Sequence, residues 1–235
     1  MDAHVTHMKE KGHNRVVIAT AIAIFFHLVG LLGILFYDVS FFARMTPWNL
    51  CLMFLLILYT HGRLNRSFLF FLFIGCAAGI LIEIIGTQTG WLFGSYWYGT
   101  ILGPAIFNVP FMIGVNWFIV MYCCGSGMQW LLQSVLPVSA TVQQKPVLYT
   151  LSMILDGALL AVIFDWIMEP VAIRLGFWTW AGDGSVPLYN YICWFLVSMC
   201  FLYFFNRYNI GNRNKFALHL WCIQAMFFLL LRTFL

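Results

Sequence analysis

Charge is what this sequence has least of. Asp, Glu, Lys and Arg make up 9% of its 235 residues, against about 25% in an ordinary soluble domain, which excludes a water-soluble globular fold. Its four lysines, Lys9, Lys11, Lys145 and Lys215, fall in tails, loops or a helix end. No amine is left mid-helix for a Schiff base, which argues against a retinal protein. The seven cysteines include no CxxC pair, and only Cys123 and Cys124 adjoin. Neither a disulfide framework nor a metal site is expected; His4, His7 and His13 read as a solvated tail. A nucleic-acid partner is not expected either, because the distribution of Lys and Arg reads as a membrane-topology signal.

What remains is apolar: 63% hydrophobic and 19% aromatic residues. A membrane span needs about 20 mostly apolar residues, and charges and turn formers cut the chain into runs near that length at 16–37, 45–60, 67–86, 107–123, 147–170, 187–206 and 215–234. The expected fold is an all-α polytopic membrane helix bundle of about seven transmembrane helices, the second of them short. It forms a single integral membrane domain, 1–235, with two related halves at about 67–123 and 147–206. The first run is span-length and lacks a small-residue cleavage site, so it reads as an uncleaved helix.

Loops rich in Lys and Arg stay cytoplasmic. With the N-terminus inside, the cytoplasmic segments hold Lys9, Lys11, Arg15, Arg63, Arg66, Lys145, Arg207, Arg213 and Lys215, and the outer ones hold Arg44, Arg174 and Arg232. The net charge of +4 is thus a topology signal, and the cytoplasmic (inner) membrane is the expected location.

Two stretches carry chemistry. Glu83–Trp117 reads EIIGTQTGWLFGSYWYGTILGPAIFNVPFMIGVNW, and Asp165–Trp194 reads DWIMEPVAIRLGFWTWAGDGSVPLYNYICW. Each runs from an acid through Gly and Trp to Val-Pro, and each closes on a Trp seven residues after its proline. The expectation is that they face each other and form one site. Residues 87–106 hold four glycines and five aromatics without a charge. Such backbone cannot face hydrocarbon unpaired, so it belongs at the outer interface. There Trp91, Tyr96 and Tyr98 make either a plain aromatic belt or a lip admitting an apolar substrate.

Asp165 and Glu169 are four apart, hence on one helix face with Cβ atoms about 6 Å from each other. Two carboxylates that close in a weakly solvated place do not both ionise cheaply, so one keeps a proton and can act as a general acid. Glu83 ends one outward helix and the pair ends another, while Asn108 and Asn190 begin the two inward helices at the same level. Asn116, about 13 Å along its helix, is suited to holding a water. The plainer alternative for Glu169 is an ion pair with Arg174. Asp156 turns to the opposite face, near Ser152. His27 sits mid-helix, and Gly75 and Gly79 have the spacing that lets helices approach closely.

These residues are similar to a known family. The E-I-I-G-T-Q-T-G-W-L-F-G-S-Y-W-Y run with L-G-P and N-V-P, followed by D-W-I-M-E-P-V-A, G-F-W-T-W and V-P-L-Y-N, resembles the membrane carotenoid hydratases over about residues 67–205. The resemblance implies addition of water across the terminal double bond of an acyclic carotenoid end, giving a tertiary alcohol without a redox cofactor. On that chemistry Glu83, Asp165 and Glu169 are the candidate acids and bases. Asn108, Asn116, Asn190, Trp91, Tyr96, Tyr98, Trp178 and Trp180 are the candidate substrate- or water-positioning residues. The expected partners are an acyclic or monocyclic carotenoid, water and the bilayer.

The second half also looks like the repeat of the small membrane lycopene cyclases, which would quench the same cation with an internal alkene. The paired acids associated with their post-proline helix are replaced here by P-L-Y-N-Y at 187–191, which favours the hydratase. A non-enzymatic isoprenoid carrier or transporter is the alternative of another class, since repeat transporters also put their sites where halves meet.

Overall fold

The computed structural model describes residues 12–135, 147–210 and 214–235, with the helical backbone of 2–11. The side chains of His4, His7, Lys9, Lys11, Lys145 and Arg213 lie outside the described residues.

In hydrocarbon every backbone N–H and C=O must be paired within the chain, and apolar runs do this as helices. Among the described residues the helices are α1 (Asp2–Phe36), α2 (Val39–Arg44), α3 (Thr46–His61), α4 (Arg66–Thr89), α5 (Phe111–Val135), α6 (Val147–Arg174), α7 (Leu188–Arg207) and α8 (Lys215–Phe234). Six of them, α1 and α4 to α8, are long and apolar enough to cross a membrane. The chain is an all-α, multi-pass membrane protein. The remaining apolar run forms α3, whose 16 residues extend ~24 Å against a hydrocarbon core of about 30 Å. It still returns the chain to the end where α1 begins, for the Arg15 guanidinium lies 5.4 Å from the centre of the Tyr59 ring. α4 and α8 start on asparagine caps: Asn65 accepts from the Phe68 N–H at 2.8 Å and Asn214 from the Phe216 N–H at 3.1 Å.

α5 is the most buried of the spans and packs against α3, α4, α6, α7 and α8. Its contact with α4 depends on two glycines. A Cβ on Gly79 would lie 2.6 Å from Trp117 Cβ, and one on Gly114 would lie 2.5 Å from the Cys76 carbonyl oxygen. Any side chain there pushes the helices apart. At the end where α3 finishes and α8 begins, the Asn214 amide donates to the Thr60 and Tyr122 hydroxyls at 3.0 and 3.2 Å, and Tyr122 also bonds His61 Nδ1 at 2.6 Å. That knot ties α3, α5 and α8.

α6 contains Pro170. Proline has no N–H, so the carbonyl four residues earlier, that of Trp166, loses its helical donor. Arg232 of α8 replaces it, donating to the Trp166 oxygen at 3.0 Å with its guanidinium 4.1 Å from the centre of the Trp166 ring.

The aromatic connections have structure of their own. β1 (Tyr96–Tyr98) pairs antiparallel with β4 (Trp178–Trp180), aligning Tyr96 with Trp180 and Tyr98 with Trp178. The two stretches singled out in the sequence are therefore joined by a ladder. β2 (Ala105–Ile106) and β3 (Val109–Pro110) form a hairpin whose two loop residues, Phe107 and Asn108, both have positive φ, 49° and 67°. That is the pattern of a type I′ turn.

Candidate active site

The β1–β4 ladder closes one end of the bundle, where α4 and α6 finish and α5 and α7 begin. The three acids meet beneath it, in a cavity of about 30 Å³ whose walls include Glu83, Asp165, Glu169, Asn116 and Asn190. Glu83, Asp165, Glu169 and Asn190 are all buried.

Each carboxylate has its own donors. Glu83 is held by three: the Tyr96 hydroxyl donates to Oε2, the Tyr98 hydroxyl to the same oxygen at 2.7 Å, and the Trp117 indole to Oε1 at 2.9 Å. Glu169 Oε2 accepts from the indoles of Trp178 and Trp180 at 2.9 and 3.1 Å. It faces inward, whereas Arg174 is exposed. Asp165 Oδ2 accepts from the Asn190 amide at 2.8 Å; its Oδ1 is buried with no hydrogen-bond partner among the described residues. Residues of β1 thus serve the acid of α4, and residues of β4 serve an acid of α6. Burial, then the nearby Glu83 charge, pushes the Tyr96 and Tyr98 phenols well above their ordinary range. Both stay protonated, as donors must.

Aromatic faces complete the walls. Trp117 and Trp194 stack with centroids 4.2 Å apart and planes 10° from parallel, and Phe93 lies against both. Phe93 is buried, lines the cavity and holds a left-handed φ of 65°. Such a conformation costs of order 1–3 kcal/mol and persists where the surroundings over-determine it, as at functional sites.

A second, apolar chamber of about 300 Å³ adjoins the first, with Ile113, Asn116, Met168 and Trp178 in both linings. Phe26 and Val29 of α1 and Trp48 of α3 line it and are exposed, so it reaches the lipid-facing surface between those helices. His27 lines it from α1, with Nδ1 2.7 Å from the Ala23 carbonyl oxygen.

Of the residues singled out from sequence, Glu83, Tyr96, Tyr98, Asn116, Asp165, Glu169, Trp178, Trp180 and Asn190 line one cavity. Two do not join them. Asn108 is exposed at the tip of the β2–β3 turn, where a short polar side chain tolerates positive φ. Trp91 is 76% exposed and is engaged through its backbone, its N–H donating to the Thr89 hydroxyl oxygen at 3.1 Å and its carbonyl accepting from the Tyr189 hydroxyl at 2.7 Å. Asp156 is exposed on α6. Trp117, Trp194 and Phe93 also line the cavity and are not among the site residues expected from the sequence. The matched proline-to-tryptophan spacing was the signal for the first two; nothing local marks Phe93.

A family model described as "Carotenoid biosynthesis protein" matches residues 25–235. A bisanhydrobacterioruberin hydratase from Haloarcula japonica is 29% identical over 118 residues, 49% of this chain and 36% of that protein. The match spans about a third of that relative's length. No solved structure matches.

Proposed function

Because this chain belongs to the carotenoid biosynthesis protein family, we propose that it is a carotenoid hydratase, adding water across the terminal trisubstituted double bond of an acyclic carotenoid end. The observation that carries the reading is the pairing of a water-sized cavity holding three acids with an apolar chamber open to lipid. A cavity of about 30 Å³ suits one water, which needs at least ~10–15 Å³ and two to four polar partners. The chamber suits the isoprenoid end.

Asp165 is the proton donor. The Asn190 amide donates to Oδ2, which makes that oxygen the carbonyl and leaves the proton on the unpartnered Oδ1. Glu83, with three donors, and Glu169, with two, are arranged as anions. Oδ1–H protonates the less substituted alkene carbon, and the positive charge develops on the tertiary carbon. Glu83 and Glu169 stabilise that charge electrostatically, and the faces of Trp117 and Trp194 add cation–π attraction of ~2 kcal/mol or more when desolvated. Water adds to the cation, Glu169 accepts its proton, and the proton returns to Asp165 one helical turn away. The alcohol leaves with the acids restored, and no electron is gained or lost.

The cytoplasmic surplus of Lys and Arg supports an N-terminus inside the inner membrane, which sets the acid cavity towards the outer leaflet. The polyene then reaches the chamber sideways from the bilayer, between α1 and α3.

The test is expression in lycopene-producing cells followed by pigment chromatography. The wild type is expected to yield a more polar tertiary alcohol. Asp165→Asn is expected to lower conversion about 10²–10⁴-fold, with Glu83→Gln and Glu169→Gln also impaired. A cyclic hydrocarbon in place of the alcohol overturns the reading in favour of a cyclase, and undiminished conversion by all three variants removes the acid site.

A further inference from the structure

A carbocation in this site has two fates, and the junction between the two spaces separates them. Ile113, Asn116, Met168 and Trp178 are common to the acid cavity and the apolar chamber. Ile113 and Met168 offer no hydrogen bond, and the Trp178 N–H is already given to Glu169. Asn116 is the remaining polar group, and its amide makes no hydrogen bond among the described residues. A free amide facing both spaces is costly within a membrane unless something polar meets it. The surrounding aromatic faces can stabilise a cation but supply no nucleophile.

Building on the hydratase reading, we propose that Asn116 holds the attacking water at the junction and so determines the product, and that without it the same acids run an alkene isomerisation. Both courses begin with transfer of the Asp165 proton to the alkene. With the amide present, the water oxygen bonds to the tertiary carbon and loses a proton to a carboxylate, giving the alcohol. With an apolar side chain of similar size, the junction is dry. A carboxylate then takes a proton from a carbon next to the cationic centre, and that C–H pair becomes the new π bond. The net change is a shifted double bond or the starting alkene regenerated, with no co-reactant consumed.

Deuterium reports each fate. The full chain in lipid nanodiscs is incubated with lycopene in D₂O, and the products are separated and weighed by mass spectrometry. The wild type is expected to give alcohol carrying deuterium on the carbon beside the carbinol centre. Asn116→Leu is expected to lower alcohol about tenfold or more, the loss of one hydrogen bond to a reacting group, while deuterium builds up in recovered or isomerised carotene. Asn116→Gln, which restores an amide, is expected to recover part of the alcohol. A purely structural role would lower alcohol and deuterated carotene together. Should Asn116→Leu not elute as a folded monodisperse protein, Asn116→Ala takes its place with the same readouts. A variant that keeps alcohol as its main product, or makes neither product while folded, overturns the proposal. A wild type that incorporates no deuterium overturns the hydratase reading instead, and this inference with it.

Discussion

At the scale of single residues, the site is a problem of burying carboxylates without cations. Lys and Arg stay out of the cavity walls, so the compensation comes from phenol, indole and amide donors. Each donor is itself aromatic or small and tolerates an apolar setting. The phenols of Tyr96 and Tyr98 are held well above their ordinary range by burial and by Glu83. Below about pH 10, the ordinary phenol value, both are neutral in the folded and the unfolded chain. Above it the unfolded chain ionises them and the folded chain does not, so stability falls as pH rises. Thermal unfolding in detergent should therefore weaken above about pH 10, and more steeply in the wild type than in the Tyr96→Phe, Tyr98→Phe double variant. Equal slopes would mean that neither phenol is held neutral by the fold.

At the scale of elements, the acids are positioned by contacts that admit little change. Trp117 reaches Glu83 because Gly79 and Gly114 let α5 lie against α4. Gly114 meets a backbone oxygen, which cannot swing aside as a side chain can. Gly114→Leu should destabilise the protein by ~1–3 kcal/mol or more through overpacking and should lower conversion with it. Gly127→Ala, whose nearest neighbour would be the Leu218 methyl at an ordinary 3.4 Å, should be near neutral. The two are compared by thermal melts and by pigment yield in the same cells; equal melts would refute the close-approach argument. The break at Pro170 is handled similarly, by Arg232 supplying the donor that the proline lacks.

At the scale of the whole molecule, α4 and α6 each carry acid within their last few turns, and α5 and α7 begin beside them. Three carboxylates from two distant parts of the chain thus share one end of the bundle, under the β1–β4 ladder. With the N-terminus inside, that end faces outward. A cysteine placed at Asp183, in the exposed turn after β4, should be labelled in intact cells by a membrane-impermeant maleimide. A cysteine at Arg63, between α3 and α4, should be labelled only after permeabilisation. Each is read against the signal of the parent chain's own cysteines. The reverse pattern would invert the topology and move the acid cavity to the inner leaflet.

The sequence by itself determined the membrane class, the apolar runs that become helices, the acids, and the two aromatic stretches that meet. Those features are local: run length, charge scarcity, and a four-residue spacing that puts Asp165 and Glu169 on one face whatever surrounds them. Tertiary structure alone decided which donor serves which acid, that Asn108 belongs to a turn and Trp117 to the site, and that an apolar chamber adjoins the acid cavity. In a soluble helix, polarity marks the outer face. Here the lipid-facing and buried faces are both largely apolar, so the chain carries little periodic sign of which apolar residues look inward. The donors of Glu83 come from 13, 15 and 34 residues away, and only packing brings them together.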